Sequence, residues 1–291
     1  MYQHFRTFRG KKTVISVIIP YYHGKKYIPQ LLHMMKVNAF TLEAECKTGL
    51  EVLFVNDSPE EEIVINGEYP FAFSILTNPQ NSGIHASRVH GLKASKGEYV
   101  LFLDQDDQIT DRCLVSQLSH IGQADMVIGN GQDGEPEGGK HLIYTDTTHQ
   151  FAATDLRCHY YYNNLIRSPG QVLIRKDAIP ERWTSRIMKN NGSDDAFLWI
   201  LMLQNGCKAE INEDVVYEHV YTGSNTSGND ESMLRSQLEV VELLKGKASS
   251  LGMWAFQRRA KYYCTSGRGH VIRFLDVGLF RKFYSTLYMK S

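Results

Sequence analysis

Three predominantly apolar runs, each stopping abruptly at a polar cluster, constrain this chain more than any other feature. Thr13 to Pro20 (TVISVIIP), Glu51 to Val55 (EVLFV) and Tyr99 to Leu103 (YVLFL) are rich in β-branched and aromatic residues and do not alternate with polar ones. A strand with one wet face alternates. A continuous run means burial on both faces, as in the parallel strands of a layered α/β sheet. The runs end in Tyr21-Tyr22-His23, Asn56-Asp57-Ser58-Pro59 and Asp104-Gln105-Asp106-Asp107, which are turn-forming or charged.

The intervening segments keep the same rhythm. Ile28, Leu31, Leu32 and Met35 follow helical spacing, Phe73 to Leu76 reads as a short third strand, and Ile84 to Ala94 reads as a helix with Gly97 beyond its end. Strand, helix, strand, strand, helix, strand predicts an α/β fold with a mostly parallel, doubly wound, Rossmann-like sheet. Ligands of such sheets sit outside the carboxyl ends of the strands. The three polar clusters are therefore expected on one edge. Further along, Gly129 to Lys140 (GNGQDGEPEGGK) reads as a Gly-rich lid or hairpin tip. Leu173 to Arg175 reads as a strand, Asp195 to Leu203 as a helix stopped by Gly206, and Glu231 to Leu244 as a second helix.

The cluster after YVLFL carries the most chemistry. Three carboxylates within four residues repel one another, and burying them unpaired is costly. A divalent cation relieves that cost, and hard oxygen ligands suit Mg²⁺ or Mn²⁺, which also bind diphosphates. Asp104 and Asp106 alternate and point to one side in extended geometry. One competing reading is a helix start, with Asp107 or Thr110 capping a helix near Leu114 and Asp111 in its first turn.

Composition bounds the partners. Of 291 residues 42% are hydrophobic and 22% charged, enough for a sizeable core, and the net charge of zero gives no general field for nucleic acid. The charge is uneven, however. Residues 247–291 carry nine Lys or Arg against one acid, Asp276, interleaved with aromatics such as Trp254 and Phe256. A tail of this kind is expected either to lie on an anionic membrane or to pack as a structural or dimer element. The five cysteines, at 46, 113, 158, 207 and 264, form no close pair and read as free thiols of a reducing cytosol. The N-terminus has no apolar stretch of secretory type, and no run of 18 apolar residues suggests a spanning helix.

Over the first 110 residues the chain resembles the inverting family 2 glycosyltransferases of the GT-A fold. VSVIIPYY is similar to that family's opening strand, and EVLFVNDSPEE to its second strand with a VDDGS-like turn. NSGIHASRVHGLKASKGEYVLFLDQDD is similar to its long NxGxxxARNxGxxxAxG stretch ending in DxDD. The resemblance implies a nucleotide-diphosphate sugar donor, a UDP-sugar first among them. It implies a nucleotide-sugar site of Pro20, Tyr22, Asp57, Arg88, Asp104 and Gln105. Tyr22 would stack on the base, Asp57 would accept from its imide and Arg88 would lie near base or diphosphate. Asp106, with Asp104 shared and His219 as third ligand, would hold Mn²⁺ or Mg²⁺. Val89 and His23 depart from the family's usual asparagines.

Two later segments extend the likeness. NGSDDAFL resembles the family's GxEDxxL, which implies Asp195 as the base that deprotonates the acceptor, with Asp194 the weaker candidate; a helix N-terminus would tend to lower such a carboxyl's pKa. YEHVYTGSNTS resembles its YxxHxxS, with Ser224 and Ser227 on a loop over the diphosphate. The implied organisation is a GT-A domain over 1–228 (13–110 nucleotide-sugar half, 111–228 acceptor half) and a helical, basic-aromatic appendage over 229–291. The implied task is transfer of one sugar to a saccharide or lipid-diphosphate-linked acceptor in bacterial surface polysaccharide synthesis, such as capsule. The expected location is the cytoplasm, peripherally at the inner face of the membrane. A processive synthase would carry membrane spans and QxxRW, and neither is found. A sugar nucleotidyltransferase would want a Gly-rich basic loop where Tyr21 to Lys26 has one glycine. A non-catalytic binding module of the same fold remains the other class.

Overall fold

The computed structural model describes residues 3–4, 13–135, 137–223, 230–246 and 249–263. Ten strands form one sheet: β1 (Gln3–His4), β2 (Thr13–Tyr21), β3 (Gly49–Asn56), β4 (Ala72–Thr77), β5 (Tyr99–Phe102), β6 (Gln108–Ile109), β7 (Met126–Gly134), β8 (Lys140–Leu142), β9 (Val172–Arg175) and β10 (Ala209–His219). The helices are α1 (Ile28–Thr41), α2 (Ile84–Ala94), α3 (Cys113–Ile121), α4 (Thr147–Phe151), α5 (Leu156–Tyr161), α6 (Glu181–Ser185), α7 (Asp194–Gln204), α8 (Asp230–Leu244) and α9 (Ser250–Tyr263).

The order is β1-β4-β3-β2-β5-β9-β7-β10-β6, with β8 on β7. The block β4-β3-β2-β5 is parallel, as the apolar runs predict. β9 then enters antiparallel between β5 and β7, β7 and β10 are parallel again, and β6 closes antiparallel on β10. The sheet thus turns over at β9, a change that no run in the sequence announces.

Both faces of the central strands are buried. Val17 and Ile19 face a core with Leu31 and Met35 of α1 and Leu114 of α3. Ile18, one position over, faces the opposite core with Val89 and Leu92 of α2 and Phe197 of α7. This is the two-residue period of a strand with no wet side. Each such side chain contributes about 1.5–3 kcal/mol on burial. The polar Glu51 inside β3 is tolerated because its carboxylate accepts from Ser16 Oγ at 2.6 Å and from Lys96 N at 2.8 Å.

The Gly-rich segment from 129 is corrected by the structure. Gly129 and Gly131 lie in β7, and only the turn between β7 and β8 is a hairpin tip. The glycines serve close packing rather than looping. A Cβ on Gly129 would stand 2.2 Å from Val216 Cγ2, and one on Gly131 would stand 2.8 Å from the Tyr217 carbonyl oxygen.

The C-terminal helices share the second core, where α8 contributes Val240, Val241 and Leu244 and α9 contributes Phe256. Glu239 of α8 accepts from the backbone of Lys189 and Asn190, and Arg259 of α9 donates to Asn163 Oδ1. The start of the basic tail is therefore a packing element; residues 264–291 lie outside the described residues, as do Ser224 and Ser227. Cys46, Cys113, Cys158 and Cys207 are free thiols. Among the described residues no helix is long and apolar enough to cross a membrane.

Candidate active site

The carboxyl ends of β2, β3 and β5 open into one cavity of about 580 Å³. Pro20, Tyr22, Asp57, Arg88, Asp104 and Gln105 line it. So do Asp106 and His219, and so do Asp194 and Asp195 at the start of α7. Parallel neighbours β2, β3 and β5 put their polar ends side by side, and α7 reaches the same place from the far half of the chain.

Arg88 organises the floor. It lies on α2, is buried, and donates to Asp104 through one terminal nitrogen and to Asp194 Oδ2 at 2.6 Å through the other. Burial alone would lower the affinity of this guanidinium for its proton, but the two carboxylates outweigh it and the net shift is upward. Asp104 is itself pushed up by burial, an effect that Arg88 opposes.

Asp107 has a different task from its neighbours. It is buried and accepts from the Tyr217 hydroxyl, and from Val220 N at 3.2 Å; its Oδ1 lies 3.1 Å from His219 Nδ1. The carboxylate can only accept, so His219 Nδ1 carries the proton, and Nε2 is the nitrogen left to ligate or accept. The capping alternative for Asp107 and Thr110 is not realised: the residue preceding α3 is Arg112, with no side-chain cap. Asp107 instead ties the β5 loop to β10.

Asp106 has no side-chain hydrogen-bond partner among the described residues. Burial and the charges of Asp107 and Asp104 raise its pKa to about 6. Asp195 accepts from Asn164 Nδ2 at 2.9 Å. Burial, then the charge of Asp194, raises its pKa to about 7, against the pull of Arg88 and Asn164. The lowering expected from the helix N-terminus is thus overturned, because desolvation and a like charge next door outweigh the helix end.

At the rim, Tyr22 is half exposed, and Gln105 accepts from Tyr22 N at 3.0 Å while donating to Tyr22 O at 2.9 Å. This reciprocal pair clamps the loop after β2 to the acidic loop after β5. Asp57 faces inward but already accepts from Asn78 Nδ2, Ser82 N and Gly83 N, each at 2.8 Å. It holds the loop leading into α2, and Oδ2, which accepts only from Gly83 N, keeps room for one further donor.

Residues 16–183 match the family described as Glycosyl transferase family 2. The chain belongs to that family. An uncharacterized glycosyltransferase of Haemophilus influenzae is 34% identical over 94 residues, 32% of this chain and 30% of that protein. The poly(ribitol-phosphate) beta-N-acetylglucosaminyltransferase TarS of Staphylococcus aureus is 31% identical over 112 residues, 37% of this chain and 19% of its own. The chain thus spans less than a third of the length of either relative. The crystal structure of S. aureus TarS 1–349 in complex with UDP-GlcNAc superposes with a TM-score of 0.59 at 15% identity, over 94% of this chain and 82% of that one. At that identity the likeness is one of fold.

Among the described residues no three His, Cys, Asp or Glu side chains are gathered as a metal site. Asp104 is bound to Arg88, and His219 is turned to Asp107. A divalent cation still fits the donor set. Among the described residues Asp106 has no partner beyond its own backbone N–H, and six aspartates line the cavity against the three cations Lys26, Arg88 and Arg167. Mg²⁺-type sites commonly use one or two carboxylates and complete the shell with water and substrate phosphate. Asn164 was not foreseen from the sequence; an asparagine in a coil segment reads as a turn residue, and no spacing links it to Asp195.

Proposed function

We propose that the chain is an inverting glycosyltransferase that moves one sugar from a nucleotide-diphosphate donor to a saccharide or lipid-linked saccharide acceptor. The observation that carries this reading is the sharing of one cavity by Asp195, poised near pH 7, and Asp106, which has no side-chain partner among the described residues. A base works best when its pKa lies near the working pH. In this reading the acceptor oxygen attacks the anomeric carbon, its proton passes to Asp195, and the bond to the diphosphate breaks with its electron pair leaving on the nucleoside diphosphate. A single displacement of this kind inverts the anomeric centre. Asp106, with Asp104 beside it and His219 Nε2 available, would hold Mn²⁺ or Mg²⁺. The ion supplies charge stabilisation to the departing diphosphate. Tyr22 stacks on the base, and Arg88 keeps Asp104 and Asp194 in place.

TarS names an N-acetylglucosaminyltransferase, and its structure holds UDP-GlcNAc. A UDP-sugar and a cell-surface polymer acceptor are therefore the first choices. The same reading assigns 13–110 to the nucleotide sugar, 111–228 to the acceptor and 229–291 to an appendage. The basic composition of 247–291 supports peripheral contact with an anionic membrane. The test is nucleoside diphosphate release from UDP-, GDP- and dTDP-sugars with Mn²⁺ or Mg²⁺, with and without a lipid-diphosphate saccharide. One donor should turn over, and Asp106→Ala and Asp195→Ala should abolish it. Undiminished turnover in both variants overturns the assignment.

A further inference from the structure

We propose that Asn164 is the positioning residue of Asp195, and that α9 sets Asn164 through Arg259 and Asn163. This inference rests on the reading of Asp195 as the base.

The contacts form an unbroken series. Asn164 Nδ2 donates to Asp195 Oδ2 at 2.9 Å. The orientation of that amide is dictated by its other end, because Asn164 Oδ1 accepts from Ile166 N at 3.4 Å and an N–H must face oxygen. Asn164 N in turn donates to Asn163 Oδ1 at 2.9 Å, and the same oxygen accepts from Arg259 Nη1 at 3.1 Å. Asn163 is also held by its own N–H, which donates to the Cys158 carbonyl at the end of α5 at 3.0 Å.

Arg259 is suited to the task. It is buried on α9 and lies over the Phe256 ring at 4.6 Å, so its guanidinium has little freedom. Asn163 and Asn164 belong to a short coil between α5 and β9, which has no ladder of its own to fix it. Held at Asn163 by a rigid donor from α9 and by α5, the coil presents Asn164 in one orientation.

The consequence for Asp195 is geometric. With Oδ2 engaged by Asn164, Oδ1 has no side-chain donor among the described residues and serves as the proton acceptor, and one rotamer is selected. Loss of the donor frees the carboxylate to rotate. Misplacement by about 1 Å costs roughly 100-fold in rate, so the chemical step should suffer and nucleotide binding should not.

The experiment uses the full chain with four variants: Asn164→Ala, Asn164→Asp, Arg259→Gln and Arg259→Lys. Steady-state transfer is read with UDP affinity and melting temperature alongside. Asn164→Ala should lower kcat by roughly 10- to 100-fold and leave donor KM and UDP affinity within about twofold. Asn164→Asp keeps the shape but loses the donor, and should fall as far. Arg259→Gln should lower kcat in the same direction, and Arg259→Lys, which keeps a cationic donor, should recover part of the loss. The Asp195 carboxyl is also followed by ¹³C NMR titration, and its midpoint should rise in Asn164→Ala because a donor to the ionised form is gone. Wild-type kcat and an unmoved midpoint in Asn164→Ala overturn the proposal. Wild-type kcat in Arg259→Gln overturns the part assigned to α9. A moved midpoint in a chain whose Asp195→Asn variant still transfers at the wild-type rate would overturn the base assignment instead.

Discussion

Arg88 Nη1 stands 2.6 Å from Asp194 Oδ2, joining residues 106 positions apart inside the protein. Its second terminal nitrogen holds Asp104, so one side chain of α2 fastens the loop after β5 to the start of α7. Carboxylates from the two halves of the chain thereby share a single cation.

Removing that cation leaves the buried Asp194 without a partner and the partly buried Asp104 with only Ser168 Oγ at 3.5 Å. Arg88→Met is expected to destabilise the fold by about 3–5 kcal/mol in urea unfolding. Arg88→Lys should recover only part, because an ammonium cannot serve two carboxylates in a planar fork. A Lys variant as stable as the wild type would show that charge alone matters here.

The raised carboxyls imply a direction for stability against pH. Asp195 keeps its proton to about pH 7 and Asp106 to about 6, while ordinary aspartates in the unfolded chain lose theirs near 4. Between these limits the folded state binds more protons. Both groups therefore favour folding below about pH 4, and that contribution is lost as pH rises through 6 and 7. Asp195→Asn should melt close to wild type at about pH 5 and at least about 2–4 °C higher at about pH 8. A gap that narrows toward high pH would reverse the sign. Transfer by the wild type should rise over the range in which Asp195 ionises.

Gly131 offers a test of the packing that carries Tyr217 to Asp107. It pairs with Tyr217 across β7 and β10, and a Cβ there would stand 2.8 Å from a backbone oxygen. Backbone cannot swing aside as a side-chain tip can. Gly131→Ala is expected to cost about 1–3 kcal/mol and to slow transfer by displacing β10. Calorimetry with activity at matched folded fraction separates the two effects.

Chelation tests the proposed divalent cation. EDTA should abolish nucleoside diphosphate release, and Mn²⁺ or Mg²⁺ should restore it. Asp106→Asn should weaken Mn²⁺ binding, measured by paramagnetic relaxation of water protons, at least about tenfold. Equal Mn²⁺ affinity in the variant would move the ion to other ligands.

Much of the cavity formed by the strand ends was legible in the chain itself. Runs such as VISVII, short and β-branched, suit strands buried on both faces, and their polar ends fall on one edge because parallel neighbours run the same way. Tyr22, Asp57 and Asp104 to Asp107 come together for that reason, and Arg88, Asp195 and His219 follow from the ordered resemblance. Contacts between distant segments leave no periodic trace, so other features waited for the fold. β9 reverses the sheet within four residues, too short for its direction to show. Gly129 and Gly131 looked like a loop because sequence cannot tell a glycine that bends from one that admits a neighbour. The raised pKa of Asp195 depends on burial beside Asp194, which outweighs the helix end visible in sequence. Local pattern determined which strands form and where their polar ends lie; only the packed structure decided which carboxylate meets Arg88, which meets Tyr217 and which faces the cavity free, since desolvation and pairing are properties of the assembled core.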